Sequence, residues 1–270
     1  MNESPPRKKL AVLGFPVSHS RSPVMQTAAL ADLGMTPEWS YEAIEVEPEE
    51  FAGKVAEMAA GEFVGANITV PHKEAALRIA DSASQAAEEI GAANTLVFEE
   101  GSVRAENTDG PGVLDSLPDD LPRNRALVLG AGGAARAAVW ALAGDGFAVE
   151  VWNRTPARAL TLTNELGGTV VEQPQASDYD LIINASTAGL GDSDALASLP
   201  VGSGDFREGQ MVVDLVYGAG PSSLLEVAAE DGARAVDGLE ILVRQGARSF
   251  EIWTGREPSL EVMRTAARSD

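Results

Sequence analysis

The chain has 270 residues, enough to bury a sizeable core and, at roughly 100–200 residues per domain, to form one large or two ordinary domains, of which two is the expectation. Its 41 acidic residues against 20 basic ones give a formal charge of −21, a field that repels nucleic acid and anionic membrane surfaces and argues against both as partners. Cysteine is absent, which excludes disulfides, thiolate catalysis and cysteine metal sites, and two histidines, His19 and His72, are too few for a histidine-rich metal centre.

The acids are scattered through well-patterned segments of a chain that is 44% hydrophobic, so they read as a solvated surface and not as a disordered tail. Four lysines and many acids fit a cytoplasm of high salt, where about 1 M salt screens charges within about 3 Å. A halophilic, cytoplasmic protein is the expectation. The first apolar run, Leu10–Gly14, is too short for a signal peptide, and no run of about 18 apolar residues is present to span a membrane.

In chain order, short apolar strands alternate with amphipathic helical stretches, the pattern of parallel sheets covered by helices, so the fold class is α/β. Strands are predicted at Lys9–Leu13, Ser40–Val46, Phe63–Ile68 and Thr95–Phe98, and helices at Pro23–Leu33, Pro48–Ala60 and His72–Ala80, with proline in the first turn of the first two. Between the first strand and helix, Gly14–Pro23 offers Ser18, Ser20 and Ser22. One of these hydroxyls is expected to cap the helix, and the others suit a carboxylate or several hydroxyls on a small polar ligand.

The segment Gly65–Lys73 sets Asn67, Thr69 and Lys73 at a strand end; with only four lysines in the chain, one retained here is a candidate catalytic group. Ala92–Thr95 and Glu106–Gly110 add polar side chains at further strand ends and loops, where α/β sheets carry their sites.

The proline- and aspartate-rich Leu117–Asn124 reads as a loop, after which a second unit opens with Ala126–Leu129 as a strand. Gly130, Ala131, Gly132, Gly133 and Ala134 follow and lead into a helix ending near Ala143. Such a strand–glycine turn–helix places backbone N–H groups and about half a positive charge where a pyrophosphate can sit. Ala135 stands at the third position of the G-x-G-x-x-G fingerprint, small enough for close helix–strand packing.

The next strand, Ala148–Trp152, ends in Asn153, Arg154 and Thr155, followed by Arg158. No carboxylate stands where an NAD enzyme binds the ribose 2′-hydroxyl, and a guanidinium there matches a 2′-phosphate, so NADP is the expected cofactor. The plainer reading makes Thr155 and Pro156 an ordinary helix start with solvated arginines; the two readings are compatible. Further strands are predicted at Thr169–Val171, Leu181–Asn184, Met211–Leu215 and Ala233–Val236, and helices at Leu239–Thr254 and Pro258–Arg268.

Taken together, Gly14–Pro23, Asn67–Lys73, Ala93–Thr95, Asn107–Gly110, Gly130–Arg136, Asn153–Thr155, Asn184–Gly189 and Asp237–Leu239 followed by Gln245 resemble the blocks of the shikimate dehydrogenase family over nearly the whole chain. That resemblance implies an N-terminal α/β substrate domain over 1–108, a Rossmann-type doubly wound NADP-binding domain over 109–238, and C-terminal helices over 239–270 returning to the first domain. It implies reversible NADPH-dependent reduction of 3-dehydroshikimate to shikimate on the route to chorismate and the aromatic amino acids.

By the same resemblance, Ser20 and Ser22 hold the substrate carboxylate, Thr69, Asn94, Asp109 and Gln245 surround its hydroxyls, and Tyr217 borders it. Lys73 and Asp109 form the catalytic pair, and Gly238 lies near the nicotinamide. Two positions depart from the pattern: His72 replaces an aromatic residue, either tuning the lysine or packing as a ring, and Glu240 replaces a small one. The expected partners are the small substrate and the dinucleotide, with a homodimer left open. The alternatives are a quinate/shikimate dehydrogenase of broader substrate or NAD use, and an inactive NADP-binding sensor.

Overall fold

The computed structural model of the protein describes residues 8–189, 194–217 and 220–269. Of these, the residues within Met1–Thr108 and Leu242–Asp270 form one compact unit, and those within Asp109–Ile241 form another. No helix among the described residues is long and apolar enough to cross a membrane.

The first unit runs through β1 (Lys8–Gly14), α1 (Ser22–Asp32), β2 (Trp39–Glu45), α2 (Phe51–Ala59), β3 (Phe63–Ile68), α3 (Lys73–Ile79), β4 (Ser82–Ala83), α4 (Gln85–Ile90), β5 (Thr95–Glu99) and β6 (Ser102–Glu106). The strands form one sheet in the order β2-β1-β3-β5-β6-β4. β1 runs parallel to β2 and β3 because a helix returns the chain to the same end after each strand.

The all-parallel expectation fails at β5, which is antiparallel to both β3 and β6. Glu100 and Gly101 join β5 to β6 with φ of +53° and +84°, the positive values that a two-residue hairpin loop requires. Glutamate is an unusual residue in that conformation, so the hairpin carries no Asn-Gly or Asp-Gly signature. A second difference concerns Pro48, which precedes α2 by three residues and lies outside its first turn.

Alternate residues of the sheet, among them Leu13, Ala66, Ile68, Leu96 and Phe98, bury against Phe51, Val55 and Met58 of α2. α10 (Leu260–Arg268) packs on α1, and the part of α9 (Gly238–Thr254) from Leu242 onward completes the unit.

The second unit contains α5 (Asp109–Ser116), β7 (Arg125–Leu129), α6 (Gly133–Gly144), β8 (Ala148–Trp152), α7 (Pro156–Leu166), β9 (Thr169–Val170), β10 (Leu181–Asn184), β11 (Met211–Asp214), α8 (Ser223–Glu230) and β12 (Arg234–Asp237). Its strands are all parallel, in the order β12-β11-β10-β7-β8-β9. The winding direction reverses between β7 and β10, the topological switch point at which doubly wound sheets bind ligands.

Both faces of this sheet are covered, so its central strands β7, β10 and β11 carry near-continuous apolar runs, over 126–129, 181–183 and 211–213. Ala126, Val128, Leu181 and Ile183 enter one core with α6 and α7, while Leu127, Leu129, Ile182 and Val212 enter the other with Leu224 and Leu225 of α8.

Candidate active site

In the first unit, backbone bonds gather three of the sequence blocks. The N–H of Ala93 donates to the carbonyl of Lys73 at 2.9 Å, that of Ile68 to Asn94 at 2.7 Å, and that of Asn94 to Glu106 at 3.2 Å. Lys73 is the first residue of α3 and half-buried. The lysine segment, the Ala-Asn-Thr block and the strand leading to Thr108 therefore share one end of the sheet.

Side chains there form a buried amide–hydroxyl array. Asn94 Nδ2 donates to Thr108 Oγ1 at 2.8 Å and to Gln245 Oε1 at 3.0 Å, while its Oδ1 accepts from the Thr108 N–H at 2.7 Å and from Thr95 Oγ1 at 3.3 Å. An asparagine amide offers two donors and two lone-pair positions, so these bonds occupy all four. Gln245 differs: Oε1 also faces Thr108 Oγ1 at 3.4 Å, but Nε2 donates to the Leu242 carbonyl with only one of its two hydrogens. Asn94 is thus held as a strut, and Gln245 has one N–H to offer a ligand.

Ser249 is the hub beneath them and has no solvent exposure. Its hydroxyl lies 2.7 Å from Thr95 Oγ1 and 3.1 Å from Thr108 Oγ1, accepts from Asn67 Nδ2 at 3.0 Å, and lies 3.1 Å from the Gln245 carbonyl one turn back. Asn67 in turn accepts from Tyr41 Oη at 2.7 Å. Sequence reasoning missed Ser249 and Tyr41. The spacing Gln245, Ser249, Trp253 is i, i+4, i+8, one face of a helix, and was the available signal; Trp253 Nε1 donates to the Leu96 carbonyl at 3.0 Å on that face.

The first-loop serines sit differently from expectation. Arg21 occupies the N-cap of α1 and no side chain caps that helix; Ser20 Oγ instead accepts from the Ser22 N–H at 3.3 Å, and Ser22 is buried. No serine occupies the N-cap position, although Ser20 Oγ takes up the first N–H of α1. Thr69 is half-buried at the end of β3, its N–H donating to the Leu13 carbonyl at 2.9 Å. His72 packs as a ring: it is buried, stacks on Phe51 at 4.4 Å between centroids, and its Nε2 lies 2.8 Å from the Val46 carbonyl oxygen.

In the second unit Asp109 is the first residue of α5 and half-buried, and Tyr217 is half-buried just after β11. Gly130 closes β7 with φ of +124°, and a side chain there would meet the Ala185 backbone at 2.8 Å, so glycine is required on both counts. The Gly132 N-cap of α6 has no side-chain hydrogen bond, and a Cβ on Gly132 would stand in open space. Ala131, Gly133 and Ala134 continue this turn into α6, and Ala135 is fully buried against the sheet. The first-turn N–H groups of a twelve-residue helix are thus aimed at a space that an anion can enter.

At the end of β8, Asn153 Nδ2 donates to the Thr155 carbonyl at 2.9 Å, and Thr155 stands at the N-cap of α7 without a side-chain bond. Arg154 and Arg158 are exposed, and among the described residues neither side chain has an acidic partner. In a chain with twice as many acids as bases, two arginines four positions apart that lack carboxylate partners are candidates for binding an anion.

Asp214, at the end of β11, is fully buried. Burial pushes its carboxyl above the usual carboxylate range, opposed by hydrogen bonds from Ser222, Val216 and Asn184. Gly238 opens α9, and a side chain on it would meet the Leu215 carbonyl at 2.7 Å. Among the described residues no group of three or more His, Cys, Asp or Glu gathers to hold a metal ion.

Known proteins share both units. A family model described as the shikimate dehydrogenase substrate binding domain matches residues 12–96, one described as shikimate / quinate 5-dehydrogenase matches 113–188, and one described as the shikimate 5'-dehydrogenase C-terminal domain matches 238–268. A shikimate dehydrogenase (NADP(+)) of Thermus thermophilus is 44% identical over 262 residues, covering 96% of this chain and 97% of its own length. That of Mesorhizobium japonicum is 42% identical, covering 94% and 92%. The crystal structure of a Thermus thermophilus shikimate 5-dehydrogenase in complex with NADP(H) and shikimate matches with a TM-score of 0.89 and 42% identity, covering 96% of this chain and 98% of that one.

Proposed function

The chain belongs to the shikimate dehydrogenase family, and from that membership we infer how its own residues divide the work. Its activity is the reversible NADPH-dependent reduction of 3-dehydroshikimate to shikimate, an oxidoreductase reaction at a CH–OH group.

The hydroxyls of Ser20 and Ser22 donate to the substrate carboxylate. The free N–H of Gln245 and the hydroxyl of Thr69 read ring hydroxyls, Tyr217 borders the ring, and Asn94 keeps Gln245 in its orientation. The observation that carries this reading is the saturated Asn94 amide bonded to an unsaturated Gln245 amide, since a pre-set strut beside a free donor is what recognition of a polyhydroxylated ring needs.

Bound NADPH supplies the hydride from C4 of its nicotinamide. The N–H groups of the Gly130–Ala134 turn hold its pyrophosphate; Asn153, Arg154, Thr155 and Arg158 hold the 2′-phosphate end; and Gly238 leaves room beside the nicotinamide. Reduction turns the C3 carbonyl oxygen into an alkoxide, which takes a proton from the Lys73 ammonium, with Asp109 as the second member of the catalytic pair. In the oxidation direction the same nitrogen must first be neutral, so rising pH favours oxidation of shikimate.

The acid-rich surface, with its −21 charge, supports a cytoplasm of high salt as the setting. The test of substrate and cofactor scope is a set of steady-state rates with shikimate and quinate, each with NADP and NAD. Shikimate with NADP is expected to dominate; equal rates with quinate or with NAD would show the broader quinate/shikimate enzyme.

A further inference from the structure

Asp214 is buried without a cationic partner among the described residues, yet every hydrogen bond it accepts comes from a different stretch of chain. Asn184 Nδ2 donates to Oδ1 at 2.9 Å, the Val216 N–H donates to the same oxygen at 3.0 Å, and Ser222 Oγ donates to Oδ2 at 2.5 Å. Each donor continues the network outward. Asn184 Oδ1 accepts from the Ser186 N–H at 3.1 Å and from Ser186 Oγ at 2.7 Å; Asn184 Nδ2 also reaches the Ala188 carbonyl at 3.2 Å; and Ser186 Oγ accepts from the Ala188 N–H at 3.1 Å. Ser222 is the N-cap of α8 and accepts from the Leu225 N–H at 3.4 Å, so the carboxylate also faces the positive end of that helix.

One buried carboxylate therefore joins the loop leaving β10, the loop leaving β11 and the first turn of α8. Asn184 and Asp214 are register partners on adjacent strands, so the clamp closes at the carboxyl edge of the sheet. The absent side chain of Gly238 lets α9 begin close to the backbone of the same turn: a Cβ there would stand only 2.9 Å from the Asp214 carbonyl oxygen.

In a doubly wound sheet the pyrophosphate sits at the switch point and the two halves of the dinucleotide extend to either side. With Arg154 and Arg158 taken to hold the adenosine 2′-phosphate at β8, as proposed above, the other half, the nicotinamide, falls to the β10 and β11 side. We propose that Asp214 is a positioning residue for hydride transfer: by tying the loops after β10 and β11 to α8 it fixes the wall against which the nicotinamide is held. This rests on the reading of the chain as a family member that binds NADP. A buried charge that only held the fold together would be expected to pair with a base; one that accepts solely from loop backbone, an amide and a helix cap instead sets loop geometry.

The test compares Asp214→Ala, Asp214→Asn and Ser222→Ala with the unaltered chain, by calorimetric binding of NADP and of 2′-phospho-ADP-ribose, which lacks the nicotinamide, and by kcat on shikimate. Asp214→Ala is expected to weaken NADP by about fivefold or more, the worth of an ordinary hydrogen bond, with binding of the truncated ligand unchanged. kcat is expected to fall by about 10- to 100-fold, as a displaced reactant requires.

Asp214→Asn should restore most of both, because its oxygen still accepts from Asn184 and Val216 and its amide can donate to Ser222. Ser222→Ala should show the same pattern more weakly, and it carries the test if Asp214→Ala does not fold. Equal weakening of both ligands, or normal binding and turnover with only a lower Tm, would overturn the proposal. Failure of the unaltered chain to bind NADP or oxidise shikimate would instead overturn the reading on which it rests.

Discussion

Asn94 donates from Nδ2 to Oε1 of Gln245 at 3.0 Å, a bond that uses up the asparagine amide and leaves the glutamine with an N–H to spare. The two residues lie 151 positions apart, and the bond joins the start of β5 to α9. Substituting Gln245 with Ala removes the spare donor and one acceptor of Asn94. Losing one neutral hydrogen bond costs about 0.5–1.5 kcal/mol, so the KM for shikimate is expected to rise about 3- to 10-fold. kcat should change less. Steady-state kinetics read both, and an unchanged KM would remove Gln245 from the substrate.

Arg154 and Arg158 are exposed and lack acidic partners among the described residues, so no ion pair competes with a ligand phosphate for them. Hydrogen bonds to charged groups are worth about 1.5–3 kcal/mol, and Arg154→Ala is expected to lower kcat/KM for NADP by about 10- to 100-fold. The rate with NAD should be unchanged, since NAD carries no 2′-phosphate. A parallel loss with both cofactors would assign Arg154 to another part of the dinucleotide.

Glu150 on β8 is tied to Arg125 at 2.6 Å and to Tyr179 Oη at 2.8 Å, with the guanidinium 4.8 Å from the centre of the tyrosine ring. Burial alone would push the Glu150 carboxyl up, but the hydrogen bonds from Arg125 and Tyr179 and the Arg125 charge hold it below its ordinary value. A depressed folded-state pKa gives stability that is present above the unfolded value, about 4.3, and is lost as pH falls through the folded one. Glu150→Gln is therefore expected to lower Tm at pH 7 and to match the unaltered chain once pH has dropped well below about 4.3. A gap that persists unchanged into acid would show that packing, not charge, sets the difference.

The second unit was the more legible part of the fold. Ala148–Trp152 and Leu181–Asn184 lie where they are predicted, the first from its alternation, with Val149 and Val151 buried, and the second from a strand buried at every position, as interior parallel strands are. The β5–β6 hairpin escaped because Glu100 takes a positive φ without the residue type that announces one. In the site, the scarcity of lysine drew attention to Lys73. Ser249 had only the helix-face spacing Gln245, Ser249, Trp253 to mark it, and Asp214 had less: the bonds that define their roles, to Thr95 and to Asn184, lie 154 and 30 residues away and form through helix packing and strand register.

The net charge of −21 repels itself within a compact fold, and salt screens that repulsion from about 10 Å at 0.1 M to about 3 Å at 1 M. Tm is expected to rise steadily between those concentrations of potassium chloride. Full stability in a salt-free preparation would contradict the salt-adapted setting.

The proton-transfer role of Lys73 is the central claim, and kcat and KM of Lys73→Ala with shikimate and NADP test it most directly. General acid–base catalysis contributes about 10²–10⁴-fold, so kcat is expected to fall by that factor while KM for shikimate stays within a few fold. A variant with normal kcat and a greatly raised KM would make Lys73 an anchor for the substrate and contradict the account.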